Sequence, residues 1–202
     1  MILACLDLEG VLIPEIWISV AEKTGIEELK LTTRDISDYD KLMKHRLSIL
    51  DKHNIDIKLI QDVIGTLSPL PGADVFLNKL RKNFQIVILS DTFYQFAMPL
   101  MKKLGYPALF CHNLIINDSN KIVDYTLRMK DQKREAVKRF HELNFKVIAA
   151  GDSYNDTNML KEADKGILFC PPEKVIKEFP QFPVTLHYDA LLDEFLSGQK
   201  SI

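Results

Sequence analysis

The amino-acid sequence predicts an α/β fold, a doubly wound parallel sheet with an inserted helical cap and a β-hairpin. Three observations lead to this prediction. Short apolar runs with the character of buried strands alternate with amphipathic helical patterns. Between Val11 and Leu70 the strand-like runs stop and helical patterns remain. Near residue 117, turn-forming residues separate two runs of alternating character.

The composition is that of an ordinary globular protein. The chain has 202 residues, of which 47% are hydrophobic, enough for one substantial domain and a small accessory one. Its 26 Lys and Arg residues nearly balance 28 Asp and Glu residues, for a net charge of -2, which argues against a nucleic-acid partner. We expect small-molecule partners. The composition leaves open whether the chain forms a homodimer.

The first residues and the cysteines bear on the compartment. The chain lacks a basic leader and reaches Asp7 too early for a signal peptide, and it has no apolar run long enough to span a bilayer. We therefore expect a cytoplasmic protein without membrane association. Cys5, Cys111 and Cys170 are widely spaced in apolar surroundings, which favours reduced thiols packed in the core over a disulfide or a zinc site.

Four short apolar runs, each bounded by Asp, Ser or Gly, are predicted to form the central parallel sheet. They are Ile2 to Leu6, Gln85 to Leu89, Lys146 to Ala150 and Lys165 to Phe169. Helical patterns between them predict crossover connections that cover both faces of the sheet. These patterns are Ala73 to Lys82, Phe93 to Leu104, Gln132 to Leu143 and Asn155 to Ala163.

The region between the first two predicted strands has the pattern of a helical cap. Its amphipathic stretches are Ile16 to Lys23, Tyr39 to Lys52 and Asp56 to Leu67. We assign residues 15–68 to this cap, and residues 1–14 with 69–202 to the core. In the core, turn residues 117–120 separate Cys111 to Ile116 from Lys121 to Leu127, which predicts the hairpin.

Asp7 and Glu9 follow the first predicted strand, two residues apart. A carboxylate directly after a buried strand can act as a nucleophile if a cation and hydrogen-bond donors hold its substrate in line. A second acidic group two residues further on can then donate and accept protons. For this motif alone, the alternative is that the two acids cap a helix or lie solvated in a loop.

Asp152 and Asp156 lie four residues apart after another predicted strand. One of them can bind Mg²⁺ directly while the other supports it. The alternative is helix capping by Asp152 or Asn155. Because open α/β folds bind ligands at the carboxyl ends of their strands, we expect both acidic clusters to meet at that edge.

Two further features could bind a phosphate group. Ser90-Asp91-Thr92 follows a predicted strand, and a hydroxyl with free backbone N–H groups at a strand-to-helix turn binds phosphate oxygens. Lys133, near the start of a predicted helix, could neutralise the phosphate charge. In isolation, Ser90-Asp91-Thr92 could be only a polar turn, and Lys133 could be only a solvated lysine.

Taken in chain order, these motifs resemble the four motifs of the haloacid dehalogenase (HAD) superfamily of phosphotransferases. The matching residues are Asp7 to Val11, Ile88 to Thr92, Lys133 and Gly151 to Asp156. A helical insertion directly after the first motif is similar to the cap of the phosphoserine phosphatase branch. Within that branch the chain is similar to the phosphoserine/homoserine phosphotransferases over Asp7 to Trp17, Thr32 to Tyr39, Ser90 to Tyr94 and Ala149 to Thr157.

The resemblance implies a Rossmannoid HAD core and a Mg²⁺-dependent enzyme that forms an aspartyl phosphate. It implies that Asp7 is the nucleophile, that Glu9 is the acid and base, and that Lys133 neutralises charge. The metal-binding set it implies is Asp7, Glu9 (through its carbonyl), Asp152 and Asp156, and the phosphate-binding set is Ser90, Asp91, Lys133 and Asn155. The implied substrates are phosphoserine as donor, and water or homoserine as acceptor.

Glu9 departs from the general superfamily pattern, because an Asp usually stands at this position. Its extra methylene moves the carboxyl group. The phosphoserine/homoserine phosphotransferases share this Glu, so the departure does not indicate an inactive protein. Two roles stay open for its side chain, that of proton donor and that of a group displaced from the reaction.

Glu15 and Arg46 bear on the choice of substrate. A free amino acid carries an ammonium group and a carboxylate, and a carboxylate with a guanidinium can hold both. Phosphoserine phosphatases use a Glu and an Arg in this way at comparable positions. The alternative for Arg46 is a solvated helical face. We expect Trp17 to pack within the cap.

Three functions therefore compete. The first is an amino-acid phosphatase and phosphotransferase, which Glu15 and Arg46 favour. The second is a phosphatase for another small phosphomonoester, such as a methylthiopentyl phosphate of methionine salvage. The third is a phosphate-sensing module with a decayed active site. Haloacid dehalogenation needs no metal, so the Asp152 and Asp156 pair argues against it.

Overall fold

The sheet is built mainly from parallel strands, whose carboxyl ends meet at one edge. A computed structural model describes residues 1–32, 35–36 and 38–202; positions 33, 34 and 37, within the segment Thr32 to Tyr39 used for the resemblance, lie outside the described residues. The strands are β1 (Ile2–Leu6), β2 (Gln85–Phe93), β3 (Ala108–Ile116), β4 (Ile122–Thr126), β5 (Lys146–Gly151), β6 (Lys165–Phe169) and β7 (Val184–Thr185). Their order is β4-β3-β2-β1-β5-β6-β7, and each neighbouring pair is parallel except β3 with β4.

Helices cover both faces of the sheet, because alternate strand residues point to opposite sides. Ala4 and Leu6 of β1 pack into the larger cluster, on the face covered by α4 (Ala73–Leu80), α5 (Tyr94–Met101) and α9 (Tyr188–Ser201). Leu3 and Cys5 pack into the second cluster, with α6 (Gln132–Glu142), α7 (Thr157–Glu162) and α8 (Glu173–Glu178). The predicted doubly wound α/β fold is confirmed.

A helical insertion separates β1 from β2. It contains α1 (Ile16–Thr24), a 3₁₀ helix (Glu27–Lys30), α2 (Tyr39–Lys52) and α3 (Ile57–Thr66). Trp17 packs edge-to-face on Phe96 of α5 with ring centroids 5.3 Å apart. The side chain of Gln61 donates a hydrogen bond of 2.8 Å to the carbonyl of Gln95. The insertion therefore packs on the helix that follows β2.

The predicted hairpin is present as β3 and β4. Asn117 stabilises its turn, because Oδ1 accepts hydrogen bonds of 3.0 Å from the N–H groups of Ser119 and Lys121. Asn120 adopts a φ of 61°, in the left-handed region that Asn tolerates well. The sheet thus gains β4 as an antiparallel edge strand beside β3.

Two predicted elements differ from the observed ones. β2 continues beyond Leu89 to Phe93, with a shift in its register against β3, so residues 90–92 lie in the end of a strand and not in a turn. The helix predicted from Asn155 begins as a 3₁₀ turn (Tyr154–Asp156) and becomes α-helical at Thr157. Ser153 explains this start, because it forms a capping box with Asp156.

Cys5 and Cys111 are buried as expected, whereas Cys170 is exposed, and the expectation that it packs in the core is wrong. It follows β6 with a φ of 47°. Among the described residues, no helix is both long and apolar enough to cross a bilayer.

Candidate active site

Asp7 lies directly after β1, at the carboxyl edge of the sheet. Its backbone N–H donates to the carbonyl of Ala150 at 3.0 Å, which extends the pairing of β1 with β5 by one residue. Its side chain is buried, and Oδ1 accepts a hydrogen bond of 2.8 Å from the N–H of Leu8. Hydrogen bonds with the backbone of Ala150 and of Leu8 therefore fix the position of Asp7.

Asp152 and Asp156 follow β5, the strand next to β1. One carboxylate oxygen from each of Asp7, Asp152 and Asp156 lies within 4.8 Å of the others. Asp156 is fully buried, and its Oδ2 accepts hydrogen bonds from the N–H groups of Asp152 at 2.9 Å and Ser153 at 3.1 Å. The capping pair is thus Ser153 with Asp156, in place of the alternative of Asp152 or Asn155. Asp156 supports the loop that carries Asp152.

Two glycines allow the carboxylates to come so close to the backbone. A Cβ at Gly10 would lie 2.6 Å from the carboxyl carbon of Asp152, and the φ of Gly10 is +78°. A Cβ at Gly151 would lie 2.4 Å from Cβ of Asp156. Atoms cannot approach to these distances without displacement, so both positions require glycine.

Lys133, in the first turn of α6, is the cation that faces this cluster. Its Nζ lies 2.7 Å from Oδ1 of Asp156, 2.9 Å from Oδ1 of Asp7 and 3.6 Å from Oδ2 of Asp91. The side chain is only 3% exposed, so the solvated alternative does not hold. Three carboxylates, those of Asp7, Asp91 and Asp156, therefore lie within 3.6 Å of one ammonium group.

The excess of negative charge raises the affinity of the cluster for protons. Burial, followed by repulsion from Asp156, raises the pKa of Asp152 to about 7. The pKa of Asp7 is also raised by burial and by Asp156, and Lys133 acts in the opposite direction. Burial alone would lower the pKa of Lys133, but Asp156 and Asp7 raise it above its ordinary value. Lys133 is therefore charged at neutral pH.

Ser90, Asp91 and Asn155 border the cluster on the side of β2. Ser90 is buried, and its Oγ accepts a hydrogen bond of 3.3 Å from the N–H of Thr92. Asn155 donates from Nδ2 to Oδ2 of Asp91 at 3.0 Å. The predicted phosphate-binding residues thus lie around Lys133, although the first of them belong to a strand.

The Glu9 side chain reaches the start of the cap. Its Oε2 accepts a hydrogen bond of 2.8 Å from the N–H of Ile16, the first residue of α1. Burial, and then the nearby charge of Glu15, raise the pKa of Glu9 to about 7. The carboxyl group therefore connects the loop after β1 to the start of the cap and retains a proton more readily than an ordinary Glu.

Arg46 is buried in α2, which excludes the solvated alternative. Its Nη2 donates to the carbonyl of Leu31 at 2.8 Å, and its guanidinium carbon lies 4.5 Å from the ring centroid of Trp17. No described residue accepts a hydrogen bond from its Nε. Burial lowers the pKa of Arg46 to about 10, although Tyr39, Glu9 and Glu15 act to raise it. Glu15 is exposed and makes no capping hydrogen bond.

Sequence reasoning missed several residues around Asp91. Gln132 Nε2 donates to Asp91 Oδ1 at 3.2 Å and to the carbonyl of Ser90. His112 Nε2 lies 3.7 Å from the same Oδ1, and the Tyr39 hydroxyl donates to the carbonyl of Asp91 at 3.2 Å. Gln132 directly precedes Lys133, which is the one signal that could have identified it. His112 and Tyr39 are distant from Asp91 in the sequence, and only the folded chain brings them together.

The site residues suit a hard divalent cation. The three clustered side chains offer only carboxylate oxygens, the ligand type that Mg²⁺ prefers. Asp156 already uses both of its oxygens, toward Lys133 and the loop amides. Asp7 and Asp152 have the freer coordination capacity.

A doubly wound sheet with an inserted cap, and an acidic cluster around one lysine at its carboxyl edge, define a class of α/β enzymes. The family model described as haloacid dehalogenase-like hydrolase matches residues 3–164. The chain therefore belongs to the haloacid dehalogenase-like hydrolases, which confirms the expectation from the motifs.

Relatives that match nearly the whole chain add detail to this family membership. The chain is 62% identical over 198 residues to the phosphoserine phosphatase ThrH of Pseudomonas aeruginosa, a match that covers 98% of this chain and 97% of that protein. It is 60% identical over 196 residues to a phosphoserine phosphatase of Pseudomonas syringae pv. tomato, covering 97% of this chain and 83% of that protein. A crystal structure of phosphoserine phosphatase from T. onnurineus, 26% identical, superposes with a TM-score of 0.72 over 95% of this chain and 92% of that one.

Proposed function

We propose that this enzyme is a Mg²⁺-dependent phosphoserine phosphatase that forms an aspartyl phosphate and also transfers the phosphoryl group to homoserine. The observation that carries the proposal is the contact of the buried Asp7 carboxylate with Lys133, at 2.9 Å. The names of the relatives at 62% and 60% identity support the choice of phosphoserine.

In the first step, Asp7 attacks phosphorus. Both hydrogen-bond donors, Leu8 and Lys133, reach Oδ1, so we assign the attack to Oδ2. A bond forms between this oxygen and phosphorus, and the bond from phosphorus to the serine oxygen breaks in line with it. Lys133, with the Ser90 hydroxyl and Asn155, holds the transferred group.

We assign the proton transfers to Glu9. Because its Oε2 accepts the hydrogen bond from Ile16, Oε1 is the oxygen that carries the proton. A pKa of about 7 allows this group to give the proton to the departing serine oxygen and then to take one from the attacking water. The bond between Asp7 and phosphorus breaks in the second step, which restores the carboxylate.

The proposed metal ligands are Asp7, Asp152 and the Glu9 carbonyl, with Asp156 in support. Bound there, Mg²⁺ supplies positive charge that offsets the charge of the phosphate and lowers the pKa of Asp7 toward the ionised form. Asp156 contributes by holding the backbone of Asp152 and by orienting Lys133.

We propose that Glu15 and Arg46 bind the amino-acid part of the substrate. Arg46 is buried within the cap with an unsatisfied Nε donor, and an unsatisfied buried donor is costly unless a ligand provides an acceptor. The substrate carboxylate is such an acceptor. Glu15, exposed nearby, is suited to the ammonium group.

Arg46→Met tests this assignment, because Met keeps the apolar stem over Trp17 and removes the charge. In the variant, the carboxylate of phosphoserine loses its guanidinium partner. p-Nitrophenyl phosphate has no such carboxylate. The variant should lose about 2–5 kcal/mol of transition-state stabilisation with phosphoserine and far less with p-nitrophenyl phosphate. Lys44→Met, on the exposed side of the same helix, is the matched control. Equal losses on both substrates would contradict the clamp.

Homoserine transfer has a separate test. With phosphoserine as donor and homoserine saturating, phosphohomoserine should appear and the phosphate released per phosphoserine consumed should fall. The reason is that the clamp that releases serine can hold an amino acid with a longer hydroxyl arm near the aspartyl phosphate. If mass spectrometry finds only serine and inorganic phosphate, the enzyme is a plain phosphatase.

The same assays address the two competing functions. A phosphatase for another phosphomonoester would turn over p-nitrophenyl phosphate well and phosphoserine poorly. A phosphate-sensing module would turn over neither with Mg²⁺ present. Asp7 contacts Lys133, and its carboxylate lies within 4.8 Å of that of Asp152. This arrangement favours catalysis.

A further inference from the structure

Asp91 is a carboxylate beside the expected phosphate site, and the proposed reaction gives its side chain no task. A free carboxylate there would repel a phosphate group. Both of its oxygens instead receive donors. Oδ2 accepts from Asn155 at 3.0 Å and lies 3.6 Å from Nζ of Lys133, and Oδ1 accepts from Gln132 at 3.2 Å. Asp91 thus contacts two residues that we assign to the transferred group.

Gln132 and His112 face Asp91, and Arg128 contacts both of them. We call Asp91, His112, Arg128 and Gln132 the Asp91 network. Arg128 donates from Nε to Oε1 of Gln132 at 3.0 Å, which directs the Gln132 amide N–H group at Asp91. The backbone N–H of Arg128 donates to Nδ1 of His112 at 3.1 Å. Arg128 therefore contacts both residues that face Asp91, and Gln132 also donates to the carbonyl of Ser90.

The contact with Arg128 also determines the proton position on His112. Since Nδ1 accepts a hydrogen bond, the ring proton is on Nε2, which lies 3.7 Å from Oδ1 of Asp91. His112 is 4% exposed, and burial lowers its pKa, so the ring stays neutral at physiological pH. The ring therefore presents an N–H group to Asp91 and adds no net charge.

The strand pairing explains why His112 can reach the site. His112 pairs with Phe93 across β2 and β3, next to the shift in register that begins after Leu89. Its ring also packs against Phe93 and Tyr39 with centroid distances of 6.2 and 6.4 Å. These contacts limit its rotation.

We propose that His112 and Gln132 are positioning residues for catalysis. They hold the Asp91 carboxylate in the one orientation in which it aligns Lys133 and Asn155 on the phosphoryl group. The inference rests on the proposed phosphoryl transfer and adds two residues, His112 and Gln132, that face Asp91 and belong to neither the proposed metal-binding set nor the amino-acid clamp. It predicts that a His112 variant keeps its activity only if the new side chain places an N–H group at the position of Nε2.

Two substitutions separate the nitrogens. The amide N–H of a Gln side chain reaches about as far as Nε2, whereas the amide of Asn reaches only about as far as Nδ1. His112→Gln should therefore keep kcat near the wild-type value, and His112→Asn should lower kcat about 10-fold to 100-fold. KM for phosphoserine should change less, because Glu15 and Arg46 are untouched. His141→Asn is the matched control, since His141 also faces an aspartate, Asp164, at 3.0 Å on the surface.

A double-mutant cycle shows whether His112 acts through Asp91. If it does, Asp91→Ala with His112→Asn should be no slower than Asp91→Ala alone. Losses that multiply, or equal losses in His112→Gln and His112→Asn together with lowered melting temperatures, would show a merely structural role and overturn the proposal.

The same assays separate this inference from the proposed function. Each variant is also measured with p-nitrophenyl phosphate, because the network acts on the phosphoryl group and should show the same ranking there. Failure of the substrate assignment would appear in the wild-type enzyme as slow turnover of phosphoserine. Failure of the present inference would appear only in the comparison among variants.

Discussion

At the scale of single residues, the main feature of the site is the burial of several carboxylates close together. Asp7, Asp152 and Asp156 converge within 4.8 Å, and Lys133 is the one cation among the described residues that forms an ion pair with this group. Such an arrangement is unfavourable for the protein by itself and favourable for a protein with a bound cation. The same residues therefore link metal affinity, pH and stability.

Asp152→Asn should stabilise the metal-free protein at neutral and alkaline pH. The pKa of Asp152 is raised from 3.8 to about 7, so the folded state binds the proton more tightly than the unfolded state. Its contribution to stability is present at low pH and is lost as the pH rises from about 4 to about 7. Without divalent cations, the variant should gain on the order of 2 kcal/mol over wild type near pH 8 and less near pH 5.

Thermal unfolding at the two pH values measures this gain, and added Mg²⁺ should stabilise wild type much more than the variant. Asp164→Asn is the control of opposite sign. Burial acts to raise the pKa of Asp164, but hydrogen bonds from Val147, Lys146 and His141 hold it below the ordinary value. Its substitution should destabilise the protein. A destabilised Asp152→Asn near pH 8 would contradict the repulsion.

Gly151→Ala should disrupt the acidic cluster without touching any charged residue. The added Cβ would lie 2.4 Å from Cβ of Asp156, so Asp156 must leave its contacts with Lys133 and the loop amides. We expect a loss of about 1–3 kcal/mol in stability and a strong loss of turnover. Gly65→Ala is the matched control, because a Cβ added there would have no atom of the described residues within 4 Å beyond its own helix and chain neighbours. Unchanged activity in Gly151→Ala would show that the Asp156 contacts are dispensable.

At the scale of secondary-structure elements, the cap is attached to the catalytic loop by the start of α1. Glu15, at the N-cap position, makes no capping hydrogen bond, and Glu9 from the loop after β1 supplies the acceptor for Ile16 instead. The extra methylene that distinguishes Glu9 from Asp extends its carboxyl group toward that amide. The Glu9 side chain, which we propose as the proton donor, therefore also holds the start of the cap.

Glu9→Ala should loosen the first turn of α1. Loss of a capping acceptor costs about 1 kcal/mol, which should speed amide exchange of Ile16 roughly five-fold. Hydrogen exchange followed by NMR or mass spectrometry measures this change. Glu22→Ala, exposed on the same helix, should leave exchange of Ile16 unaltered. Exchange at Ile16 that is equal in both variants would mean that Glu9 does not hold the cap helix.

At the scale of the whole molecule, the sheet and the acidic cluster could be predicted because they follow from local patterns. Apolar runs identify buried strands, and the carboxyl ends of parallel strands meet at one edge, so Asp7 and Asp152 were expected to be close. Their order in the sheet, with β5 beside β1, agrees with that expectation.

Other features depend on contacts between distant segments. Sequence pattern could not show that Glu9 turns toward Ile16, that Asp156 serves in a capping box, or that His112 faces Asp91. Ser90-Asp91-Thr92 has the composition of a turn and predicts one, whereas pairing of Phe93 with His112 keeps the strand extended. Tertiary pairing overrode local propensity there.

The central claim is that Asp7 receives the phosphoryl group of phosphoserine. The most direct measurement is an acid quench of enzyme mixed with phosphoserine and Mg²⁺, followed by mass spectrometry of the peptide that contains Asp7. Wild type should show one added phosphoryl group on Asp7. Asp7→Asn should show none and should lose at least about 100-fold in turnover. A phosphoryl group on another residue, or an Asp7→Asn variant that keeps more than about a hundredth of the wild-type rate, would contradict the account.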